Sequence, residues 1–294
     1  MSVTERGALL TLLRTSRQPW SAVTDDVEAA GSALEVLRQG SPGQMTLIQG
    51  EGDEGALASA AEQEIVAWER EGMRFLTILD ADYPAQLLTV HQRPPFLMMR
   101  GQQDKADARG VAVVGTRKAS EGGLREAYQL AHDLSDAGVP VVSGLAAGID
   151  TAALSGALSA GGRAVAVIGT GLRRSYPKEN ANLQERIGRV GLVMSQFLPD
   201  APPTKVSFPM RNAVMSGYSA ATVVVEAPYR SGARMQARLA LEHGRRVFLL
   251  ESLLANDWAR AYAERPNTVV VRSVSDVIGH LESALAVDQD LVWP

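Results

Sequence analysis

The sequence predicts an α/β fold, with a mostly parallel sheet preceded by a small helical N-terminal region. Three observations carry this. Short apolar runs recur at 111–114, 141–143, 164–168 and 222–226. Helical patterns of about 10–15 residues lie between runs of this kind, the alternation expected of βαβ units in a parallel sheet. Each run also ends at glycine or at a short polar turn: Gly115, Gly144, Gly169, and Ser231 with Gly232. Open α/β sheets bind ligands outside the carboxyl ends of their strands, so that glycine-rich edge is the predicted site.

In chain order, residues 5–38 read as helical, with one apolar cluster at Ala8, Leu9, Leu10, Leu12 and Leu13 and another from Ala29 to Leu37. Positions 41–43 and 50–55 are loop-like, and 57–71 form a helix carrying Ala60, Ile65, Val66 and Trp68. Phe75 to Leu79 and Phe96 to Met99 read as strands, and polar 102–109 as a linker into the main sheet. A helix at 121–137 places Leu124, Ala127, Leu130, Ala131 and Leu134 on one face. Asp150 is positioned to cap a helix running to about 160. Further helices are expected at 178–189, 233–243 and 275–285, and further strands at 192–194, 246–250 and 269–271. Pro202, Pro203 and Pro209 mark an extended segment before Arg211 and Asn212, and a loose tail is expected from Val287.

At 294 residues, 46% hydrophobic and 21% charged, the chain fits two unequal globular domains of ordinary composition. It has no cysteine, which excludes disulfides and thiolate zinc sites and fits a reducing cytoplasm. No leader pattern opens the chain, and no apolar run reaches the ~18 residues of a membrane span, so a cytoplasmic protein without a membrane partner is expected. A net charge of −4 confines any nucleic-acid surface to a local patch. Lysine occurs only at 105, 118, 178 and 205, so nearly all the basic residues are arginine. Arginine makes planar, bidentate phosphate contacts; a GC-rich genome gives the same bias without that purpose.

That patch has candidates. Glycine lets a backbone amide approach a phosphate closely, and helix N-termini supply oriented N–H donors. Arg117 and Lys118 follow the first turn, Arg173, Arg174 and Lys178 the third, and Arg211, Arg230 and Arg234 surround the last two. A basic strip of this kind suits a polyanion. Each piece also has a structural reading: tight βα turns for the glycines, a helix cap for Asp150, a solvated face for Arg234 and Arg238, and structural hydrogen bonding for Glu226. The stretch 144–148 lacks the full dinucleotide fingerprint, and no phosphate-binding lysine loop of the Walker type is present. His91, His132, His243 and His280 are scattered, so no metal, no cofactor and no catalytic set are expected.

The order of these motifs resembles the DNA-processing protein A (DprA/Smf) family. The matching residues are Gly115, Thr116 and Arg117; Ser143 to Ala146 with Gly148, Ile149 and Asp150; Gly169, Thr170, Gly171 and Leu172; and Tyr176 to Asn180. Phe208, Pro209, Arg211 and Asn212 also match, as do Val225 and Glu226 with Arg230, Ser231 and Gly232. The likeness covers about 10–275 and implies an extended Rossmann-like, doubly wound core. The division it implies is 1–55 for the helical domain, 56–285 for the Rossmann-like domain with its motif core at 111–250, and 286–294 for a tail. It implies a homodimer that binds and protects incoming single-stranded DNA without base specificity and loads the RecA recombinase in natural transformation. The contact residues it implies are Gly115, Thr116, Arg117, Gly144, Gly169, Gly171, Lys178, Arg211, Asn212, Ser231 and Gly232; the basic strip and the neighbouring motif positions add Lys118, Ser143, Gly148, Asp150, Thr170, Asn180, Arg230 and Arg234 to the expected DNA-binding set.

The chain departs from the family pattern at Leu154, Gln196, Ala213, Gln236 and the Glu251–Ser252 pair. No counterpart of the C-terminal winged-helix domain of many members is expected. The alternative is a nucleotide-binding or nucleotide-hydrolysing, phosphoribohydrolase-like relative. Those enzymes carry a catalytic glutamate on the helix after a glycine-rich loop, and here 231–237 contain no carboxylate.

Overall fold

The computed structural model describes residues 4–40 and 53–290. Three helices open it: α1 (Glu5–Thr15), α2 (Trp20–Ala30) and α3 (Ala33–Gln39). Thr4 caps α1 by accepting from the Gly7 N–H at 3.1 Å, and the face carrying Ala8, Leu9, Leu10, Leu12 and Leu13 is buried. The Glu5 carboxylate accepts from Ser32 Oγ and from the Ala33 and Leu34 amides, which fixes α1 against the N-terminus of α3. Helix α4 (Asp53–Arg70) packs on α1, with Arg6 donating to Glu62 at 2.7 Å. The loops expected at 41–43 and 50–55 fall outside the described residues, except for 53–55, which open α4 and so carry it across position 55.

All nine strands of the described residues form one sheet: β1 (Arg74–Thr77), β2 (Phe96–Gly101), β3 (Val111–Val114), β4 (Val141–Ser143), β5 (Ala164–Val167), β6 (Leu192–Ser195), β7 (Ala221–Val224), β8 (Arg246–Leu250) and β9 (Thr268–Val271). Their order is β1-β2-β6-β5-β4-β3-β7-β8-β9. The β1–β2 and β2–β6 pairs are antiparallel and every other pair is parallel, so the predicted mostly parallel sheet is the observed one. Every residue of β3 to β7 is buried, as continuous apolar strands covered on both faces must be. Each valine so placed contributes roughly 1.5–3 kcal/mol relative to an exposed one.

The crossovers are α6 (Glu121–Asp136), α7 (Ile149–Ser159), α8 (Ala181–Val190), α9 (Ser207–Tyr218) and α10 (Gly232–Glu242). Shorter helices are α5 (Ala85–Leu88) and α11 (Asp257–Ala263), and α12 (Val274–Asp290) closes the described chain. From β3 the chain winds outward through β4, β5 and β6, then returns past β3 and winds the other way through β7, β8 and β9. Right-handed crossovers in opposite directions put their helices on opposite faces, and α6 packs with α7 while α9 packs with α10. The order reverses at β3, so the crevice for a ligand opens at its carboxyl end.

Four expectations are corrected. The segment expected to be extended up to Arg211 becomes helical at Ser207, because Pro209 lies in the first turn of α9, where its missing N–H has no helical partner to lose. Asp150 is not a cap: Gly148 is the N-cap of α7, and buried Asp150 in its first turn accepts from the Gly144 and Ala146 amides at 3.1 and 3.3 Å. Residues 102–109 include a 3₁₀ turn, Lys105–Arg109, whose buried Asp107 accepts from Tyr218 Oη at 2.7 Å and from Arg163 at 2.6 Å. Helix α12 continues to Asp290 instead of giving way to a tail at Val287. Positions 291–294 lie outside the described residues.

Candidate nucleic-acid interface

The site is built by the turns that leave β3 and β7. Val225 N–H donates to the Val114 carbonyl at 3.0 Å and Thr116 N–H to the Glu226 carbonyl at 2.7 Å, so the two turns run side by side past the sheet. Both Glu226 carboxylate oxygens are held by Ser120, through its amide at 3.1 and 3.2 Å and its hydroxyl at 2.7 Å. Ser120 caps α6 and Ser231 caps α10, the latter by accepting from the Ala233 amide at 3.1 Å. Gly148 has a φ of 80°, and a β-carbon there would overlap the Thr116 and Arg117 carbonyls. Only glycine lets α7 begin that close to the first turn.

Between these turns lies a cleft of about 1010 Å³. Ten of the sequence-predicted residues line it: Gly115, Thr116, Arg117, Lys118, Asp150, Arg211, Asn212, Arg230, Ser231 and Gly232. Gly144, Gly169 and Thr170 line a smaller recess of about 90 Å³ shared with Arg117 and Arg211. Gly148 and Asn180 line a third concavity, again bordered by Arg117. Ser143, Gly171, Lys178 and Arg234 border none of the three.

Burial divides the predicted residues by what their polar atoms can still do. Arg117, Lys118 and Arg230 are exposed, and among the described residues no ion pair engages them. Arg173 differs: it is paired with Glu71 at 2.7 Å and Asp200 at 2.5 Å, so it adds no uncompensated charge to the edge. Arg211 is only 5% exposed and donates to the Gly144 carbonyl, to the Val167 carbonyl at 2.8 Å and to Asn212 Oδ1 at 3.0 Å. Burial pushes its pKa down, opposed by the Asp150 charge, and pushes that of Asp150 up, opposed by Arg211 and two backbone amides. Ser143 donates to the Val113 carbonyl, and Asn180 to the Leu145 carbonyl and Thr151 Oγ1. Gly169 packs against Phe208, and Gly171 against the Leu198 and Pro199 carbonyls. These buried groups shape the edge from within.

Aromatic rings accompany two of the arginines. Arg117 lies over the Phe208 ring at 4.8 Å, and Tyr176 meets Phe208 with centroids 5.5 Å apart. Arg234 lies over Tyr229 at 4.2 Å, and Tyr229 is 62% exposed. The sequence placed Phe208 and Tyr176 in matching motifs, yet neither these nor Tyr229 was singled out as a contact group. The available signal was adjacency, since Tyr229 directly precedes Arg230. Glu126 and Glu226 both line the cleft, and partial burial together with the Glu226 charge raises the Glu126 pKa. Two neighbouring carboxylates oppose an anion at that point of the cleft. On α6, His132, Asp133 and Asp136 bring their ligand atoms within 4.8 Å, a cluster that scattered histidines did not suggest. The His132–Asp136 contact at 3.2 Å is an ordinary i,i+4 helix pair.

A family model described as DNA recombination-mediator protein A matches residues 74–277. The chain is 42% identical over 174 residues to the DNA processing protein DprA of Streptococcus pneumoniae, covering 59% of this chain and 61% of that one. The X-ray structure of DprA from S. pneumoniae superposes with a TM-score of 0.73 at 29% identity, covering 95% of this chain and 98% of that one. A DprA structure from Helicobacter pylori, described for its single-stranded DNA binding mode, superposes at 0.63 with 26% identity, covering 71% and 96%. The chain spans between 47% and 66% of the length of the curated relatives it matches.

Proposed function

The chain belongs to the DNA recombination-mediator protein A family, and from that premise we propose that it binds single-stranded DNA, without reading its sequence and without catalysing a reaction, at the carboxyl edge of its sheet. The observation that carries this reading is the set of unpaired, exposed cations lining one cleft, Arg117, Lys118 and Arg230, with an aromatic ring under the first: Arg117 lies over Phe208, which lines the same cleft and meets Tyr176. Cations hold phosphates without regard to base identity, and every base offers a face to an aromatic ring. In a duplex those faces are already stacked on one another, so the single strand is preferred. The relative from H. pylori, whose structure is described by its single-stranded DNA binding mode, supports the same reading.

The same premise supports a cytoplasmic homodimer that protects incoming single strands and hands them to the RecA recombinase in natural transformation. Hydrolysis of a nucleotide is not favoured. The Glu226 oxygens are occupied by Ser120, and the helix after the Ser231–Gly232 turn carries no carboxylate in its first turns.

The test is fluorescence anisotropy with labelled oligonucleotides of several base compositions and their duplexes. Single strands are expected to bind within a few-fold of one another and well ahead of duplex. Tighter binding to duplex, or to only one base composition, contradicts the proposal.

A further inference from the structure

A concavity of about 910 Å³ opens beside the cleft, across a ridge made by Arg117 and Lys118, which line both. Its floor is apolar and comes chiefly from two helices, with Leu124 and Tyr128 on α6 and Ala152 on α7, closed by Pro177. Arg125 stands on its rim, and among the described residues Glu179 is its one lining carboxylate against three cations. Arg125 reaches Glu121 only at 3.7 Å, with both side chains largely exposed, so its charge is little compensated. The Tyr128 ring is 39% exposed, and its hydroxyl donates to Ser159 Oγ at 2.7 Å. Gly156 lets α7 pack directly on the Tyr128 backbone, so the ring stands on a fixed wall.

We propose that this groove carries the nucleotides that follow those held in the cleft, with bases laid on Tyr128 and Leu124 and phosphates on Lys118 and Arg125. The inference rests on the single-stranded DNA reading of the cleft and deepens it. Two features select a polynucleotide as the occupant. The groove shares its ridge with the cleft, so a strand leaving the cleft past Arg117 enters it directly. It also combines an apolar floor with cationic rims, the arrangement that suits bases inside and phosphates outside.

The test compares an oligothymidylate of about 6 nucleotides, short enough for the cleft alone, with one of about 20 nucleotides. Tyr128→Ala and Arg125→Ala are expected to leave the short oligomer's affinity unchanged and to weaken the long one roughly tenfold. Tyr128→Phe, which keeps the ring and loses only the hydroxyl bond to Ser159, is expected to restore the long oligomer to near wild type. Long-oligomer affinity unchanged in Tyr128→Ala overturns the inference and leaves the groove to a protein partner. Equal loss for both lengths overturns it as well, since the residue then serves the cleft. A wild-type protein that binds neither oligomer overturns the reading of the cleft and this one together.

Discussion

Arg211 and Gly144 are fitted to one another: the guanidinium lies against the glycine, donates to its carbonyl, and reaches the Val167 carbonyl at 2.8 Å. One side chain of α9 thereby ties down the ends of β4 and β5, with the buried Asp150 carboxylate as its counter-charge. Position 211, expected from the sequence as a phosphate contact, lines the cleft with its guanidinium turned onto these carbonyls.

Arg211→Ala is therefore expected to act on stability. Removing it takes away its bonds to the Gly144 and Val167 carbonyls, a loss of about 1–3 kcal/mol for each buried acceptor left unsatisfied. Arg211→Lys is not expected to rescue, because an ammonium cannot reproduce the planar fork. Urea unfolding at neutral pH checks both, and a midpoint within error of wild type in either variant would contradict this role.

Gly144→Ala is expected to disrupt the same contact from the other side. A β-carbon at 144 would overlap the Arg211 guanidinium, so the arginine must leave its carbonyl partners or the strand ends must separate. A loss of about 1–3 kcal/mol is expected, as for overpacking elsewhere in a core. The combined variant with Arg211→Ala should lose less than the sum of the two, since each removes the same interaction. Additive losses would show that the two positions are independent.

Why so much of the sheet was legible, and part of the site was not, follows from the physics of each. A fully buried parallel strand has to be apolar along its whole length, so Val111 to Val114 and Ala221 to Val224 declare themselves. Helix α9 was hidden by Pro209, which sequence patterning treats as a breaker and the first helical turn accepts. Site residues are harder to tell apart in the sequence. Arg117 and Arg211 are the same residue type, each near the end of a strand or the start of a helix. Their fates depend on whether a neighbouring carbonyl faces them, and that is decided by strands β4 and β5, which are distant in sequence. Asp150 and Asn180 were spent on the backbone of the same turn for the same reason.

The sheet's far end offers a separate check. Tyr218 donates to buried Asp107 at 2.7 Å, and Arg163 bonds the same carboxylate. Burial and the Asp107 charge raise the tyrosine's pKa, so the hydroxyl stays protonated and donates. Tyr218→Phe is expected to lose about 1.5–3 kcal/mol, the range for a hydrogen bond to a charged group. Calorimetric unfolding measures it, and an unchanged midpoint would sink the assignment.

His243 sets a pH dependence. It contacts Ser216 Oγ and Gln92 Oε1 at 2.9 Å each, and burial, with the Arg245 charge added, lowers its pKa below the usual 6.5. Between that lowered value and 6.5 the unfolded chain binds more protons than the folded one, so stability rises with pH across the window and is lost on acidification. His243→Gln should flatten the fall in melting temperature between neutral pH and the window's acid end. An identical fall in wild type and variant would assign the dependence to other groups.

The most direct measurement is a salt series of single-stranded DNA binding by wild type and Arg117→Ala, with duplex alongside. Arg117 is exposed, stacked on Phe208 and free of carboxylate pairing among the described residues, so its loss should leave the fold intact. Weaker binding to single strands is expected, with a log–log salt slope shallower by roughly 0.7, one phosphate contact. Wild-type affinity and slope in the variant would contradict it, and so would a wild type that binds duplex as tightly as single strand.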